Sequence, residues 1–223
     1  MTGGNAIMPE VNKIRAQTPK GYWTQDWHPV GHCSLASTHG RQPFTKVWMK
    51  EGQIVGEYAE DQTENDAPIK GAIIQMLWTD HGVQDTEDAQ MHPDLIIPAG
   101  DLILQKGKNP LVDSYSCVWE NDRITRPRFD NGETLPDQLR TDGIDTVIVS
   151  GLALDVCVAD SAVHLKEEGF RVIVVLSACA AITPEGKAAT LKRFADAGVE
   201  VVEKPENLVA YLAAKPSAPS LEI

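Results

Sequence analysis

Long apolar runs are missing from this sequence of 223 residues. No stretch of about 18 consecutive apolar residues occurs, so no transmembrane helix is expected. The first residues contain neither the basic region nor the apolar core of a secretory signal, and the last four residues, SLEI, match no peroxisomal or ER-retention signal. Together these absences predict a cytoplasmic protein.

Basic residues are scarce. The 20 lysines and arginines stand against 32 aspartates and glutamates, which gives a net charge of −12 at pH 7. Proteins that bind nucleic acid generally need a basic face that neutralises phosphates, and an anionic membrane surface repels an acidic protein. The charge balance therefore argues against both kinds of partner. The sequence leaves open whether the protein forms a homo-oligomer.

Closely spaced cysteine pairs are also absent. The four cysteines, Cys33, Cys117, Cys157 and Cys179, are spread along the chain without a C-x-x-C pair. A disulfide framework would be unusual in a chain of this size that carries no secretory signal. We therefore expect free thiols, one of which is a candidate nucleophile.

The second half of the chain alternates between apolar runs and helical patterns. Strands are predicted at residues 146–149, 171–176 and 199–202, and helices at 154–168, 183–197 and 205–214. Strand–helix–strand units with this spacing form parallel sheets through right-handed crossovers. The predicted fold class is α/β, with three α/β/α layers built on a doubly wound, mostly parallel sheet.

The first half carries weaker signals. A helix is predicted over residues 5–15, a short strand at Tyr22 and Trp23, a strand at 102–106 and a helix at 135–142. Residues 40–70 are polar with acidic clusters, which predicts an insertion or surface excursion. We expect one domain over residues 1–214, followed by a disordered tail at 215–223.

Three residues near the predicted strand at Tyr22 are candidate metal ligands. Asp26, His28 and His32 lie close together in the chain, and carboxylate and imidazole groups are good Zn²⁺ ligands. The same residues would suit a polar turn after a strand. His81 stands between an apolar run and a glycine, where it is either a ligand or a half-buried ring.

Cys157 lies where a predicted strand passes into a helix, near the carboxyl end of a parallel sheet, where ligands of such sheets bind. The positive end of the helix lowers the thiol pKa and favours the thiolate, and the turn's N–H groups could hold an oxyanion. Lys106, at another strand end, could approach Cys157 and stabilise the thiolate. A buried structural cysteine and a solvated lysine are the alternatives.

Four segments of the chain match the motifs of one family in the family's own order. They are Thr24–Pro29 (TQDWHP) followed by His32, Leu77–Gln84 (LWTDHGVQ), Gln105–Gly107 with Tyr115–Ser116, and Gly151–Val158 (GLALDVCV). The family that they resemble is the nicotinamidases, which are isochorismatase-like cysteine hydrolases. The resemblance extends from about residue 3 to about residue 204, and it favours the functional interpretation of each candidate.

The resemblance implies a metal site and an isochorismatase-like hydrolase fold. Asp26, His28 and His81 would hold Zn²⁺ or a similar divalent ion, and His32 would lie behind them or act as an additional ligand. The substrate would be nicotinamide, with its pyridine nitrogen facing the metal. The residues against the pyridine ring would be Trp78 and Tyr115.

The resemblance also implies a covalent mechanism. Cys157 would attack the carboxamide carbon with support from Lys106, and the N–H groups of Ala153 and Cys157 would form the oxyanion hole. The peptide bond between Leu152 and Ala153 would be cis. Ammonia would leave, and a metal-activated water would hydrolyse the thioester to nicotinate, a reaction of NAD salvage.

Family members begin with an apolar strand followed by D-x-Q-N-D-F, and the aspartate of this segment accepts the thiol proton. The sequence begins at a segment that resembles the one after this strand, so we expect the first central strand and its aspartate to be missing. A general base typically contributes about 10²–10⁴-fold to the rate. The alternative functions are a catalytically impaired relative that serves as a binding module, and another isochorismatase-like amidase.

Overall fold

The structure is a computed structural model that describes residues 3–214, so the predicted tail at 215–223 lies outside the described residues. The chain forms two compact units. Among the described residues, the first unit comprises 3–23, 92–102 and 133–214, and the second comprises 24–91 and 103–132. One domain over residues 1–214 stays a prediction.

Eight strands and five α-helices make up the regular structure of the described residues. The strands are β1 (Tyr22–Asp26), β2 (Thr45–Lys50), β3 (Gln53–Glu57), β4 (Ile73–Leu77), β5 (Leu102–Lys106), β6 (Thr146–Leu152), β7 (Arg171–Ala180) and β8 (Glu200–Val202). The helices are α1 (Met8–Gln17), α2 (Leu135–Thr141), α3 (Ala159–Glu167), α4 (Pro184–Ala197) and α5 (Leu208–Ala214). Within residues 3–214, no helix is both long and apolar enough to span a bilayer.

The first unit contains a parallel sheet in the order β6–β7–β8. Residues 172–175 of β7 are completely buried, as expected for a β-branched run that is covered on both faces. Helix α4 begins as predicted, because the Thr183 hydroxyl accepts a hydrogen bond from the Gly186 N–H at 2.9 Å. The predicted mixed α/β class with parallel strands is confirmed.

Strands β6 and β7 run further than predicted. The apolar run of β6 ends before Ser150 and Gly151, which resembles the start of a turn. The pairing nevertheless resumes after a register shift, so that Gly151 lies opposite Cys179 and Leu152 opposite Ala180. Such an irregularity lets a strand continue past an unpaired residue. It carries the chain directly to the turn that holds Cys157.

The second unit contains an antiparallel sheet in the order β3–β2–β4. No strand was predicted in residues 40–70, yet β2 and β3 lie there. Val47, Trp48 and Met49 of β2 are each at most 2% exposed. The interpretation of this stretch as wholly a polar surface excursion is therefore wrong, because apolar side chains at its centre form part of a core.

Strands β1 and β5 pair with each other and end beside the candidate site. β1 extends to Asp26, beyond the predicted pair Tyr22 and Trp23, whereas β5 has its predicted bounds. The N–H of Trp27 donates to the carbonyl of Lys106 at 2.9 Å. The two strand ends are thereby held together, with Asp26 and Lys106 adjacent.

A half-buried ion pair ties together three segments of the first unit. The guanidinium of Arg15 donates from Nε and Nη2 to the two carboxylate oxygens of Asp101, each at 2.6 Å. Asp101 also accepts from the Gly21 N–H at 3.0 Å and from Trp23 Nε1 at 2.8 Å. The hydrogen bond from Arg15 lowers the pKa of the Asp101 carboxyl to about 2, against the opposing effect of burial.

We expect Asp101→Asn to lower the free energy of unfolding by about 2 kcal/mol at pH 7, because the variant leaves Arg15 without its charged partner. The folded pKa of Asp101 lies below the unfolded value, so its contribution is present above about pH 4 and is lost as the pH falls towards 2. Urea unfolding at pH 7 and pH 2.5 measures this, with the exposed Asp61→Asn as control. An equal loss at both pH values would contradict the assignment.

Candidate functional site

Three of the predicted ligands come together in the second unit. One ligand atom from each of Asp26, His28 and His81 lies within 4.8 Å of the other two. Asp26 ends β1, and the segment after β4 is clamped onto it, because His28 N–H donates to Gly82 O and Gln84 N–H donates to His28 O, both at 2.8 Å. The residues are therefore placed by backbone pairing. Their role as metal ligands stays a prediction.

A backbone carbonyl contacts the same ring nitrogen, Nδ1, in both imidazoles. Nδ1 of His28 lies 3.0 Å from the carbonyl oxygen of Gly107, and Nδ1 of His81 lies 2.8 Å from that of Thr79. A carbonyl oxygen can only accept, so each Nδ1 carries a proton, and in the neutral form of each ring Nε2 then keeps its lone pair. Two such nitrogens and a carboxylate form a donor set that suits Zn²⁺.

Lys106 is 4% exposed and is held beside the cluster. Its ammonium donates to Asp26 Oδ1, and it donates to the carbonyl of Ser114 at 2.6 Å. The other oxygen of Asp26, Oδ2, lies 3.9 Å from Nε2 of His81. Burial by itself raises the pKa of the Asp26 carboxyl, but the Lys106 ammonium, together with the imidazoles of His28 and His81 when they are protonated, outweighs it and the pKa is lowered. Asp26 is thus an anion shared between a lysine and two imidazoles.

His32 stacks on His28 with the ring centroids 4.2 Å apart and the planes inclined by 28°. It is fully buried, and its Nδ1 contacts the Ser34 hydroxyl at 2.8 Å. Burial, together with the charge of His28, lowers the pKa of His32 to about 4, although the Asp113 carboxylate opposes this. His32 is therefore a neutral ring packed against a predicted ligand.

Asp113 is a residue near the site that the sequence analysis missed. It is 2% exposed, and ligand atoms of His28, His32 and Asp113 lie within 4.8 Å of one another. Its carboxylate accepts from Gln75 Nε2 and from the Ser114 N–H, both at 2.8 Å. In the sequence, Asp113 directly precedes the Ser-Tyr-Ser segment around Tyr115. An aspartate in such a position is too common to indicate a functional site by itself.

Two glycines next to the cluster have no side chain, and this leaves room for His28 and Asp26. A Cβ atom at Gly107 would lie 2.4 Å from Cε1 of His28, and a Cβ atom at Gly82 would lie 2.7 Å from Cβ of Asp26. Both glycines have a positive φ, of 64° and 56°. Larger side chains at these positions would displace the predicted ligands His28 and Asp26.

Trp78 and Tyr115, the predicted ring-binding residues, contact each other. Their ring centroids are 6.0 Å apart with the planes inclined by 77°, and Trp78 Nε1 donates to the Tyr115 hydroxyl at 3.2 Å. Gln75 Nε2 donates to the same hydroxyl at 3.0 Å. Both rings are half-buried. The Trp78 indole is consequently fixed in one orientation.

The predicted nucleophile lies in the first unit. Cys157 is half-buried in a π-helical turn, Leu154–Val158, that joins β6 to α3, and Ala153 is the N-cap of that turn. The predicted cis peptide bond between Leu152 and Ala153 is present. Val158 N–H donates to the Ala153 carbonyl at 3.1 Å. The oxyanion-hole role of Ala153 and the nucleophilic role of Cys157 stay predictions.

Asp155, two residues before Cys157, is bonded to the segment that leads into α4. Its carboxylate accepts from the N–H of Ile182 at 2.8 Å and from that of Thr183 at 3.2 Å. The carboxylate therefore braces the start of α4. Its two oxygens are engaged in a structural role.

The chain has the parallel-stranded α/β architecture of a family of hydrolases. The family model described as the isochorismatase domain matches residues 58–206, and the chain belongs to this family, as the motifs predicted. A nicotinamidase of Acinetobacter baylyi is 35% identical over 187 residues, which cover 83% of this chain and 75% of the relative.

Solved structures agree with this assignment. A nicotinamidase and pyrazinamidase of Acinetobacter baumanii has a TM-score of 0.77 at 32% identity, covering 93% of this chain and 87% of that chain. A protein of L. infantum solved in complex with nicotinate has a TM-score of 0.66 at 28% identity, covering 91% of this chain and 81% of that chain.

The lack of a side chain at Gly107, next to His28, gives a testable prediction. Gly107→Ala should push His28 out of position and lower the free energy of unfolding by about 1–3 kcal/mol more than Gly31→Ala does. Gly31 is the matched control, because its φ of 78° imposes the same backbone strain while nothing lies within 4 Å of the added methyl. Thermal unfolding and zinc titration calorimetry measure both effects. Equal behaviour of the two variants would show that the clearance is not needed.

Proposed function

We propose that this protein is an amidohydrolase that converts nicotinamide to nicotinate and ammonia. The observation that carries the proposal is the cluster of Asp26, His28 and His81 with Lys106 hydrogen-bonded to its carboxylate. The relatives support it, since the protein of Acinetobacter baylyi is named a nicotinamidase and that of L. infantum was solved with nicotinate. We further propose that the reaction serves NAD salvage in the cytoplasm.

The cluster would hold a divalent ion such as Zn²⁺ through the Asp26 carboxylate and Nε2 of His28 and His81. A bound ion would supply Lewis-acid chemistry at the amide and at water. The chain's own residues prepare the site for it: the carbonyls of Gly107 and Thr79 fix the tautomers, and Lys106 keeps Asp26 ionised. His32 would support the face of His28 as a neutral ring.

Cys157 would act as the nucleophile. Its thiolate sulfur attacks the carboxamide carbon, the C–N bond breaks, and the amide nitrogen leaves as ammonia after taking up the proton that the thiol gave up. Water then cleaves the thioester, which releases nicotinate and restores the thiol. In this scheme the N–H groups of Ala153 and Cys157 stabilise the negative oxygen of the tetrahedral states.

The pyridine ring would lie against Trp78 and Tyr115. Aromatic rings gain about 0.5–1.5 kcal/mol from edge-to-face or offset contacts beyond simple burial. Because the indole is fixed through its N–H, it would offer the ring a preformed surface. Such a surface selects a flat aromatic amide over an aliphatic one.

The first test is ammonia release from nicotinamide by the purified 223-residue chain and by Cys157→Ala. We expect release from the parent and at least about a 10³-fold loss in the variant, because no other group takes over covalent catalysis. Cys179→Ala, a second cysteine of the first unit, is the control and should keep the activity. No release from a chain that is folded and holds zinc would favour the binding-module alternative.

A second test removes a predicted metal ligand. Asp26→Asn should weaken zinc binding by more than about 100-fold, because even groups that only orient a ligand are worth 10–100-fold. Metal content by mass spectrometry and zinc titration measure this independently of turnover, and Asp61→Asn is a matched control at an exposed position. Wild-type zinc affinity in Asp26→Asn would overturn the assignment of the cluster.

A further inference from the structure

Phe44 combines two features that stability alone does not explain. Its backbone has a φ of 63°, in the left-handed region that bulky side chains rarely adopt. Its residue surface is 57% exposed, so the apolar ring gains little from burial. A glycine or an asparagine would suit this backbone better. A bulky residue held in such a conformation points to a function for the side chain.

The contacts of Phe44 indicate what that function is. The ring lies edge-on to Trp78, with centroids 6.0 Å apart and planes inclined by 89°. The Phe44 N–H donates at 2.6 Å to the carbonyl of Leu77, the residue before Trp78. Backbone and side chain of Phe44 are thus both fastened to the segment that carries the indole.

Several residues contact Trp78. Phe44 makes an apolar ring contact with the indole that differs in kind from the hydrogen bond to Tyr115. The Trp78 N–H of the backbone donates to Ser34 O, and its carbonyl accepts from Ala36 N–H, both at 2.8 Å. These bonds fix the main chain. The side chain is fixed by the polar contact with Tyr115 and by the apolar contact with Phe44.

We propose that Phe44 is a specificity-determining residue for the aromatic ring of the substrate, which it controls by orienting the Trp78 indole and extending the aromatic surface that the ring meets. This inference rests on the proposed function, in which Trp78 lies against the pyridine ring. Phe44, Trp78 and Tyr115 form one continuous series of edge-to-face contacts. The exposed face of Phe44 is then the surface that a flat ligand covers.

The test separates a binding role from a structural one through Phe44→Asn and Phe44→Tyr. Phe44→Asn relieves the backbone strain and removes the ring, so the melting temperature should stay the same or rise. The KM for nicotinamide and the Kd of nicotinate should both increase about 2- to 10-fold, the range of one aromatic contact, with kcat within about 2-fold. Phe44→Tyr keeps the ring and should restore both constants to within about 2-fold.

Glu51→Gly is the matched control, because Glu51 is also exposed and has a positive φ of 48°. It should leave KM and Kd unchanged. An unchanged KM for nicotinamide and an unchanged Kd of nicotinate in Phe44→Asn would overturn the inference. A lower melting temperature with the same KM and Kd would do so too, because it would show a structural role alone. If the parent chain binds nicotinate but releases no ammonia, the proposed reaction is refuted. The inference about Phe44 is then tested by the Kd of nicotinate for the parent and for Phe44→Asn. Failure to bind nicotinate as well would refute both.

Discussion

The nearly complete burial of one ammonium group governs the candidate site. Lys106 is 4% exposed, and an unpaired charge in such a position would cost several kcal/mol. The carboxylate of Asp26 and the carbonyl of Ser114 offset that cost. Asp26 reaches Lys106 because the ends of β1 and β5 lie side by side. The same carboxylate then carries the negative charge that faces His28 and His81, so a single ion pair organises the whole cluster.

Space is the second constraint. Gly107 and Gly82 approach the ligands so closely that a methyl group would collide with them. His28 is confined between the backbone of Gly107 and the ring of His32, which leaves it little freedom to turn. A group held in this way needs little reorganisation when it binds a ligand. Rigidity and charge thus act together at this end of the second unit.

The sequence predicted most of the first unit, because uninterrupted β-branched runs such as residues 171–176 are recognisable without knowledge of their partners. It missed β2 and β3 of the second unit for a physical reason. The apolar residues of β2 span only 47–49 between lysines and acidic segments, and their burial depends on pairing with β4, nearly 30 residues later in the chain. The end of β6 was missed because a register shift resembles a turn.

The sequence by itself determined the fold class, the family and the residue types of the candidate site, because motif order and strand–helix alternation are properties of the chain. Only the tertiary structure decided which nitrogen of His28 and His81 keeps a lone pair, that Asp113 is buried beside them, and that Phe44 rests on Trp78. Tautomers, burial and ring contacts are set by groups that are distant in sequence. Motif spacing cannot encode them, because it records covalent neighbours alone.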